Sequence, residues 1–181
     1  MTQYSSAGVE ALLLGQPEVL DQLQRATEQA VQQSAFAANE RAREYRRSGV
    51  GRRLLTLHRT LSNMFELFPP STVEPVDRDV LDDAQIHLHA IIMNLYGLFD
   101  NLAWAFVLHH ELLSAVGDRK KVGFFLSATK RFFPPALRAV ADDAKMNAWH
   151  GEYLKNFRDA LAHRIAPYIP PATYSEEGAS E

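Results

Sequence analysis

A single long apolar stripe constrains the fold of this chain more than any other feature of its sequence. Within residues 79–114, apolar side chains recur at helical spacing: Leu81, Ala84, Leu88, Ile91, Leu95, Leu98, Leu102, Phe106 and Leu113. That period predicts one long helix with a continuous buried face. Its most apolar part, residues 90–108, contains Asn94, Asp100 and Asn101. Because an aspartate at the centre of a membrane span is costly, we predict a buried core helix and no membrane insertion.

The rest of the chain predicts further helices, separated by glycines and prolines. Residues 18–47 lack both residue types and carry leucines and alanines at helical spacing. Three more helices are predicted over about residues 52–68, 135–141 and 142–163. No segment shows the alternation of a strand. We therefore predict an all-α fold, an antiparallel helical bundle with long helices and a functional motif on its C-terminal helix.

Composition limits the domain count, the compartment and the kind of partner. With 181 residues, 46% of them hydrophobic, the chain is expected to form one domain at residues 17–171, preceded by an arm or short helix at 1–16 and followed by a flexible acidic tail at 172–181. The absence of cysteine excludes disulfides, thiolate metal sites and a cysteine nucleophile, and suits a reducing cytoplasm. The N-terminus lacks the basic and apolar segments of a signal peptide. A net charge of −3 creates no overall field that attracts nucleic acid, so any RNA site must be local.

The last predicted helix ends in a polar run just before a group of prolines. The run is Arg158-Asp159-Ala160-Leu161-Ala162-His163, and prolines follow at positions 167, 170 and 171. At about 100° per residue, Phe157 falls on a buried face with Tyr153, Leu154, Ala160, Leu161 and, slightly further out, Trp149. Asp159 and His163 fall on the opposite side, four residues apart and able to touch, and Arg158 lies at the boundary. The polar groups of the run are therefore predicted to face solvent or a partner.

This run resembles the signature of the HEPN superfamily, an arginine and a histidine separated by four residues, with a polar residue after the arginine. The resemblance covers roughly residues 79–171, including the stretch Tyr96-x3-Asp100-Asn101-Leu102-Ala103-Trp104. It implies a homodimeric helical bundle with a composite site at its two-fold interface. It also implies metal-independent endoribonuclease activity in a bacterial toxin or defence system, with an antitoxin or regulatory partner. The tyrosine that one branch carries two residues after the histidine is replaced by Ile165, so AMPylation control of that kind is not expected.

The same spacing occurs once more, between Arg53 and His58. There the residue after the arginine is apolar Leu54, and the predicted helix continues past the histidine. Only the pair Arg158 and His163 combines the acidic follower, the helix end and the proline stop. The competing interpretation is a solvated helix end in which His163 favours the C-terminal dipole.

Metal-independent RNA cleavage sets clear requirements for the catalytic residues. Histidine transfers protons near neutral pH, and arginine holds phosphate oxygens. We therefore assign catalysis to Arg158 and His163, with Asp159 orienting the imidazole or raising its pKa. Two subunits related by a two-fold axis would supply two residues of each type. The partner is then RNA, and no metal or cofactor is expected.

Other residues are secondary candidates, each with a structural alternative. Five basic residues are expected to hold single-stranded RNA: Lys120, Lys121, Lys130, Arg131 and Arg164. The first four flank two Phe-Phe pairs, whose rings would stack on bases unless they fill a core. Asn94, Asp100 and Asn101 are expected to line the RNA cleft or to make polar contacts between helices. His87, Asn94 and Asn101 are seven residues apart and form one polar row, where another helix or subunit is expected to come close. The six arginines between Arg41 and Arg53 either follow phosphates or complete a helix C-terminus.

Two further interpretations of the whole chain stay open at this point. One is a non-catalytic dimer that binds a nucleotide or a protein partner through the motif. The other is a purely structural helical dimer. The run His109-His110-Glu111 offers metal-ligating groups, but adjacent residues diverge around a helix and no third ligand is evident.

Overall fold

The structure, a computed structural model, describes residues 5–170, which form an all-α bundle with no strand within that range. A π-helical segment, Tyr45–Gly51, joins α2 to α3, and a second one, His150–Leu154, joins α8 to α9. The helices are α1 Ser6–Ser34, α2 Glu40–Glu44, α3 Arg52–Leu67, α4 Arg78–His109, α5 Leu113–Val116, α6 Ser127–Lys130, α7 Pro135–Asp142, α8 Ala144–Trp149 and α9 Lys155–His163, with a 3₁₀ turn at Arg119–Lys121. The predicted acidic tail lies outside the described residues.

The long helix α4 forms the centre of the bundle, and α3 and α9 both pack against it in the antiparallel direction. Gly49 of the preceding π-helical segment lies beside Asn101 of α4. Further along, Arg53 and Asn63 of α3 contact the earlier α4 residues Asn94 and His87 respectively. Along the C-terminal segment, Arg158, Pro167 and Ile169 meet Tyr96, His89 and Gln85 in the same descending order. The predicted antiparallel arrangement is confirmed for these neighbours.

Two hydrophobic clusters make up most of the core, one at the C-terminal end of α4 and one around its middle. The first joins the C-terminal half of α4 to the short helices that follow: Ala103, Val107, Val116, Val122, Phe124, Phe133 and Ala141. The second joins α1, α3 and the middle of α4: Ala30, Val50, Leu54, Leu57 and Leu98. The apolar stripe of the sequence therefore serves two different sets of partners along one helix.

The membrane question concerns α4 alone. By length and mean hydropathy it is the one helix among residues 5–170 that would be able to cross a bilayer. A core helix of a globular protein has the same composition, and Ala84, Ala103 and Val107 are completely buried here. Its packing against α3 and α9 accounts for its apolar character.

Two boundaries differ from the sequence-based expectation. The arm predicted at residues 1–16 is helical from Ser6, and α1 continues through Pro17, so the helix boundary expected at this proline is wrong. The helix predicted over residues 18–47 is wrong as well, because α1 ends at Ser34 and the chain turns before α2. Asn39 caps α2 by accepting a hydrogen bond from the Ala42 amide (2.9 Å), and its own amide group donates to the Leu108 carbonyl of α4 (2.9 Å). One side chain therefore fixes both the turn and its position against α4.

Candidate functional site

Arg158 of the motif lies against α4, where three groups hold its guanidinium. Nη2 donates a hydrogen bond to the Tyr96 hydroxyl (2.8 Å), and Cζ lies 4.2 Å from the centroid of the Tyr96 ring. Nη1 lies 2.9 Å from the Asp159 carboxylate. Nε is buried and has no hydrogen-bond partner among the described residues. The arginine is thus fixed by a cation–π contact, a hydrogen bond and an ion pair, and its Nε–H group has no partner.

The orientation predicted for the last helix is wrong in part. Tyr153 and Phe157 were placed on the buried face but are exposed, as is Trp149, while Leu154 is buried as expected. Arg158 and Asp159 were expected to face solvent or a partner, yet their side chains retain only 25% and 21% of their accessible surface. Leu154, Arg158 and Leu161 follow one another at spacings of four and three residues, so the face toward α4 is centred on them and not on Phe157.

His163 is the last residue of α9, and it is exposed. The Asp159 carboxylate pairs with Arg158, and the described residues show no hydrogen bond between Asp159 and His163. The structure thus pairs Asp159 with the arginine of the motif and leaves the imidazole accessible. Arg164, directly after the helix, is also exposed.

Asp100 links Arg158 to a second arginine on the other side of α4. Burial raises the pKa of the Asp100 carboxyl above its usual value, while the positive charges of Arg158 and then Arg53 lower it. The residue keeps exposed surface, so burial here means crowding by neighbouring groups and not sequestration from water. Asp100 therefore lies within electrostatic reach of both guanidinium groups and connects their surroundings.

The polar row on α4 is confirmed as a surface of close helix approach. Arg53 Nη1 donates to the side-chain oxygen of Asn94 (3.3 Å), and its guanidinium occupies the space where a Cβ at Gly97 would lie. A Cβ at Gly49 would come within 3.0 Å of the Asn101 side chain. The row thus packs against α3 and the preceding π-helical segment.

A polar cavity of about 550 Å³ opens between these helices. We call it the arginine cleft, because Arg41, Arg52 and Arg53 line it together with Tyr45 and Asn101. The sequence signal was the density of arginines between residues 41 and 53. The sequence did not reveal the cleft, since only the π-helical turn and the approach of α4 bring residues from four elements around one cavity.

His150 is partly buried in an aromatic group beside Arg158. Its ring stacks on Tyr96 (5.5 Å between centroids) and contacts Phe125 (4.1 Å). Burial lowers the pKa of His150, as do the nearby positive charges of Lys155 and Arg158. The imidazole is therefore held in its neutral form as an aromatic partner of Tyr96.

The basic segment predicted to hold RNA is largely engaged within the protein. Lys130 pairs with Asp142, and Arg131 donates to the Ala115 carbonyl (2.7 Å). Phe124 and Phe133 are buried in the first hydrophobic cluster, so the alternative interpretation, in which the phenylalanines fill a core, is confirmed for these two. Two basic residues of the predicted set remain exposed in the preceding 3₁₀ turn, Lys120 and Lys121.

Three further histidines, His87, His89 and His109, act as structural hydrogen-bond partners. His109 Nδ1 accepts a hydrogen bond from the Ala38 amide (3.2 Å), and burial lowers the pKa of this histidine. His87 and His89 point to different partners, Asn63 and the Pro167 carbonyl. Among residues 5–170, no three His, Asp or Glu side chains are grouped closely enough to hold a metal ion.

Comparisons with known proteins leave the interpretation to the residues themselves. Matching the chain against protein-family models, curated proteins and solved structures gave no match in any of the three. The functional argument therefore depends on the anchored arginine and the accessible histidine at the end of α9.

Proposed function

We propose that the chain is a metal-independent endoribonuclease of the HEPN type, acting as a homodimer in the cytoplasm. The observation that supports this best is the different placement of the two motif residues. Arg158 is anchored on α4 through one N–H on each terminal nitrogen, so further guanidinium N–H groups stay unpartnered, whereas His163 is accessible to solvent at the end of α9. A fixed cation for a phosphate and an accessible imidazole for proton transfer are what metal-independent cleavage needs.

The proposed reaction proceeds by attack of a ribose 2′-hydroxyl on the adjacent phosphorus. His163 removes the hydroxyl proton while the 2′-oxygen forms a bond to phosphorus. The bond from phosphorus to the 5′-oxygen breaks, and the imidazolium of His163 of the partner subunit protonates that leaving oxygen. The products are a 2′,3′-cyclic phosphate and a free 5′-hydroxyl. Arg158 stabilises the additional negative charge that develops on the phosphate oxygens.

A second copy of the chain is supported by an exposed apolar stripe on the motif helix. Trp149, Tyr153 and Phe157 succeed one another at four-residue intervals through α8, the π-helical segment and α9, and all three are exposed. Apolar side chains of this size on a helix beside a functional motif are typical of protein interfaces. A two-fold axis through this stripe would bring the two motif helices together.

The other predicted site residues receive supporting roles in this proposal. Asp159 positions the guanidinium of Arg158, with which it pairs. Lys120, Lys121 and Arg164 are exposed cations that contact RNA phosphates. The resemblance of the motif to the HEPN signature implies a toxin or defence role and a regulatory partner such as an antitoxin.

A non-catalytic binding module is the second candidate, and one observation favours it. The guanidinium of Arg158 already contacts Tyr96 and Asp159, so a phosphate must displace one of these contacts or use the N–H groups that they leave unpartnered. In that case Arg158 would hold a nucleotide or a partner protein without cleavage. Binding that depends on Arg158, with RNA left intact, would favour this candidate.

Incubation of the purified full chain with single-stranded RNA in excess EDTA tests the proposal. We expect fragments that end in 2′,3′-cyclic phosphate, and a loss of rate of at least about a hundredfold in His163→Ala. His58→Ala is the matched control, because His58 follows an arginine at the same spacing but lies within α3. That variant should cut RNA at the wild-type rate.

Light scattering and circular dichroism should accompany the assay, so that loss of the dimer or of the fold is detected separately. A folded, dimeric His163→Ala protein that cleaves RNA at the wild-type rate would overturn the proposal. Equal losses in His58→Ala and His163→Ala would also contradict it, because the spacing alone would then not identify the site.

A further inference from the structure

The arginine cleft concentrates positive charge that the protein itself does not neutralise. Three arginines line it, Arg41, Arg52 and Arg53, against a single acidic residue, Glu44. Within residues 5–170, neither Arg41 nor Arg52 forms an ion pair, and neither side chain donates a hydrogen bond to another protein group. In a chain of net charge −3, this local excess identifies the kind of ligand, which must be an anion.

Arg53 is positioned for a ligand and not only for the fold. Its two contacts with α4 are long, 3.4 Å to the Met93 carbonyl and 3.3 Å to Asn94, and both use Nη1. Gly97 supplies the space in which the guanidinium lies. The other N–H groups of Arg53 remain available, and a planar guanidinium held on one side matches two oxygens of a phosphate.

The other walls of the cleft offer groups suited to a nucleoside. Tyr45 stacks on Trp104 (5.6 Å between centroids), so its ring is held in place. Ser48 and Asn101 also line the cleft, and their side chains make no hydrogen bond within residues 5–170. An aromatic side chain, a hydroxyl and an amide beside three arginines can contact a base, a ribose and a phosphate respectively.

The size and local backbone of the cleft agree with a small ligand. Its volume of about 550 Å³ lies within the range of about 300–1,000 Å³ that is typical of small-molecule sites. Tyr45–Gly51, which forms one wall, is π-helical, and π-helical turns occur frequently at functional sites. That turn brings Tyr45, Ser48 and Gly49 to one side of the cavity.

We propose that the arginine cleft binds a nucleotide through its phosphate, with Arg41, Arg52 and Arg53 as the phosphate-binding residues. This site is distinct from the motif and does not depend on the proposed ribonuclease activity. The same chemistry is presented by a free nucleotide and by one nucleotide of a single-stranded RNA. The two sources are separated by the ligands used in the test.

Calorimetry with the purified full chain tests the site, with AMP, adenosine and a four-nucleotide single-stranded RNA as separate ligands. We expect AMP to bind and adenosine to bind at least tenfold more weakly, because loss of a charge-assisted contact costs that much or more. The variant Arg41→Gln/Arg52→Gln should weaken AMP binding about a hundredfold by the same reasoning. Neither replaced side chain contacts another described residue through a hydrogen bond or ion pair, so the fold should be retained.

Two matched variants distinguish this site from the motif. Arg59→Gln removes an exposed arginine of α3 that does not line the cleft, and it should bind AMP as the wild type does. Arg158→Ala should also leave AMP binding unchanged, in contrast to the binding-module candidate. Binding of RNA but not of AMP, lost in Arg41→Gln/Arg52→Gln, would assign the phosphate to an RNA strand. Absence of binding by both ligands at millimolar concentration, or equal affinity in the double variant, would overturn the proposal.

Discussion

Replacing Tyr96 with phenylalanine removes one hydroxyl group and leaves the other contacts of Arg158 in place. The hydroxyl accepts a hydrogen bond of 2.8 Å from Nη2, while the aromatic ring lies 4.2 Å from Cζ. In Tyr96→Phe the cation–π contact and the Asp159 ion pair persist, and only the charge-assisted hydrogen bond is lost. The variant therefore isolates one of the three interactions that hold the motif helix against α4.

The expected magnitude follows from that single hydrogen bond. A hydrogen bond to a charged group contributes about 1.5–3 kcal/mol to stability. Since the Arg158 side chain retains 25% of its accessible surface, water replaces part of the lost contact, and the lower end of that range applies. We expect Tyr96→Phe to lower the free energy of unfolding by about 1.5 kcal/mol, and the melting temperature by roughly 3–6 °C for a chain of this length.

Urea unfolding, followed by circular dichroism and tryptophan fluorescence, measures this change. Tyr153→Phe is the control, because Tyr153 is an exposed tyrosine of the π-helical segment before α9. Its hydroxyl makes no hydrogen bond within residues 5–170. It should change stability by less than about 0.5 kcal/mol. If Tyr96→Phe and Tyr153→Phe unfold at the same urea concentration, the hydroxyl does not hold Arg158, and the anchoring argument is refuted.

Four further predictions concern stability and are read from urea unfolding. Gly49→Ala should destabilise the fold by about 1–2 kcal/mol, because the added Cβ would lie within 3.0 Å of Asn101. Gly15→Ala has open space in α1 and should stabilise it by about 0.5–1 kcal/mol. Burial raises the pKa of Asp100, so the contribution of this residue to stability decreases as the pH rises above 3.8. Asp100→Asn should therefore be more stable than wild type at pH 7, and the difference should vanish at pH values below 3.8. His150 has a lowered pKa, so the wild type loses stability as the pH falls below 6.5, and His150→Phe, which keeps the aromatic stacking, should lose less over that interval.

The sequence predicts the helices that end at prolines or glycines, and it misses a boundary that a tertiary contact defines. The predicted helices at residues 52–68 and 135–141 agree with α3 and α7 to within about a residue. The turn after Ser34 contains neither glycine nor proline. Its signal was Asn39 followed by Glu40, a capping residue and an acidic first-turn residue, but the second contact of Asn39, with Leu108, lies 69 residues away.

Helical periodicity also does not determine which face of α9 meets α4. The motif residues could be found from their spacing, but their orientation could not. Arg158, four residues after the buried Leu154, lies against Tyr96, and Tyr153 and Phe157 are exposed. Local sequence does not encode that partner, which lies 62 residues earlier in the chain. The arginine cleft was hidden for the same reason, because its walls come from elements that only the folded chain brings together.

Asp100 connects the two proposed sites and indicates why polar residues interrupt the apolar stripe of α4. Burial disfavours its charged form more than Arg158 and Arg53 stabilise it, so at neutral pH the carboxylate lowers the stability of the fold. A charged group kept at a cost in stability, between an anchored arginine and an arginine of a polar cavity, is characteristic of a functional site. Asp100→Asn should therefore separate the two properties, giving a more stable protein in which both guanidinium groups lose their shared counter-charge.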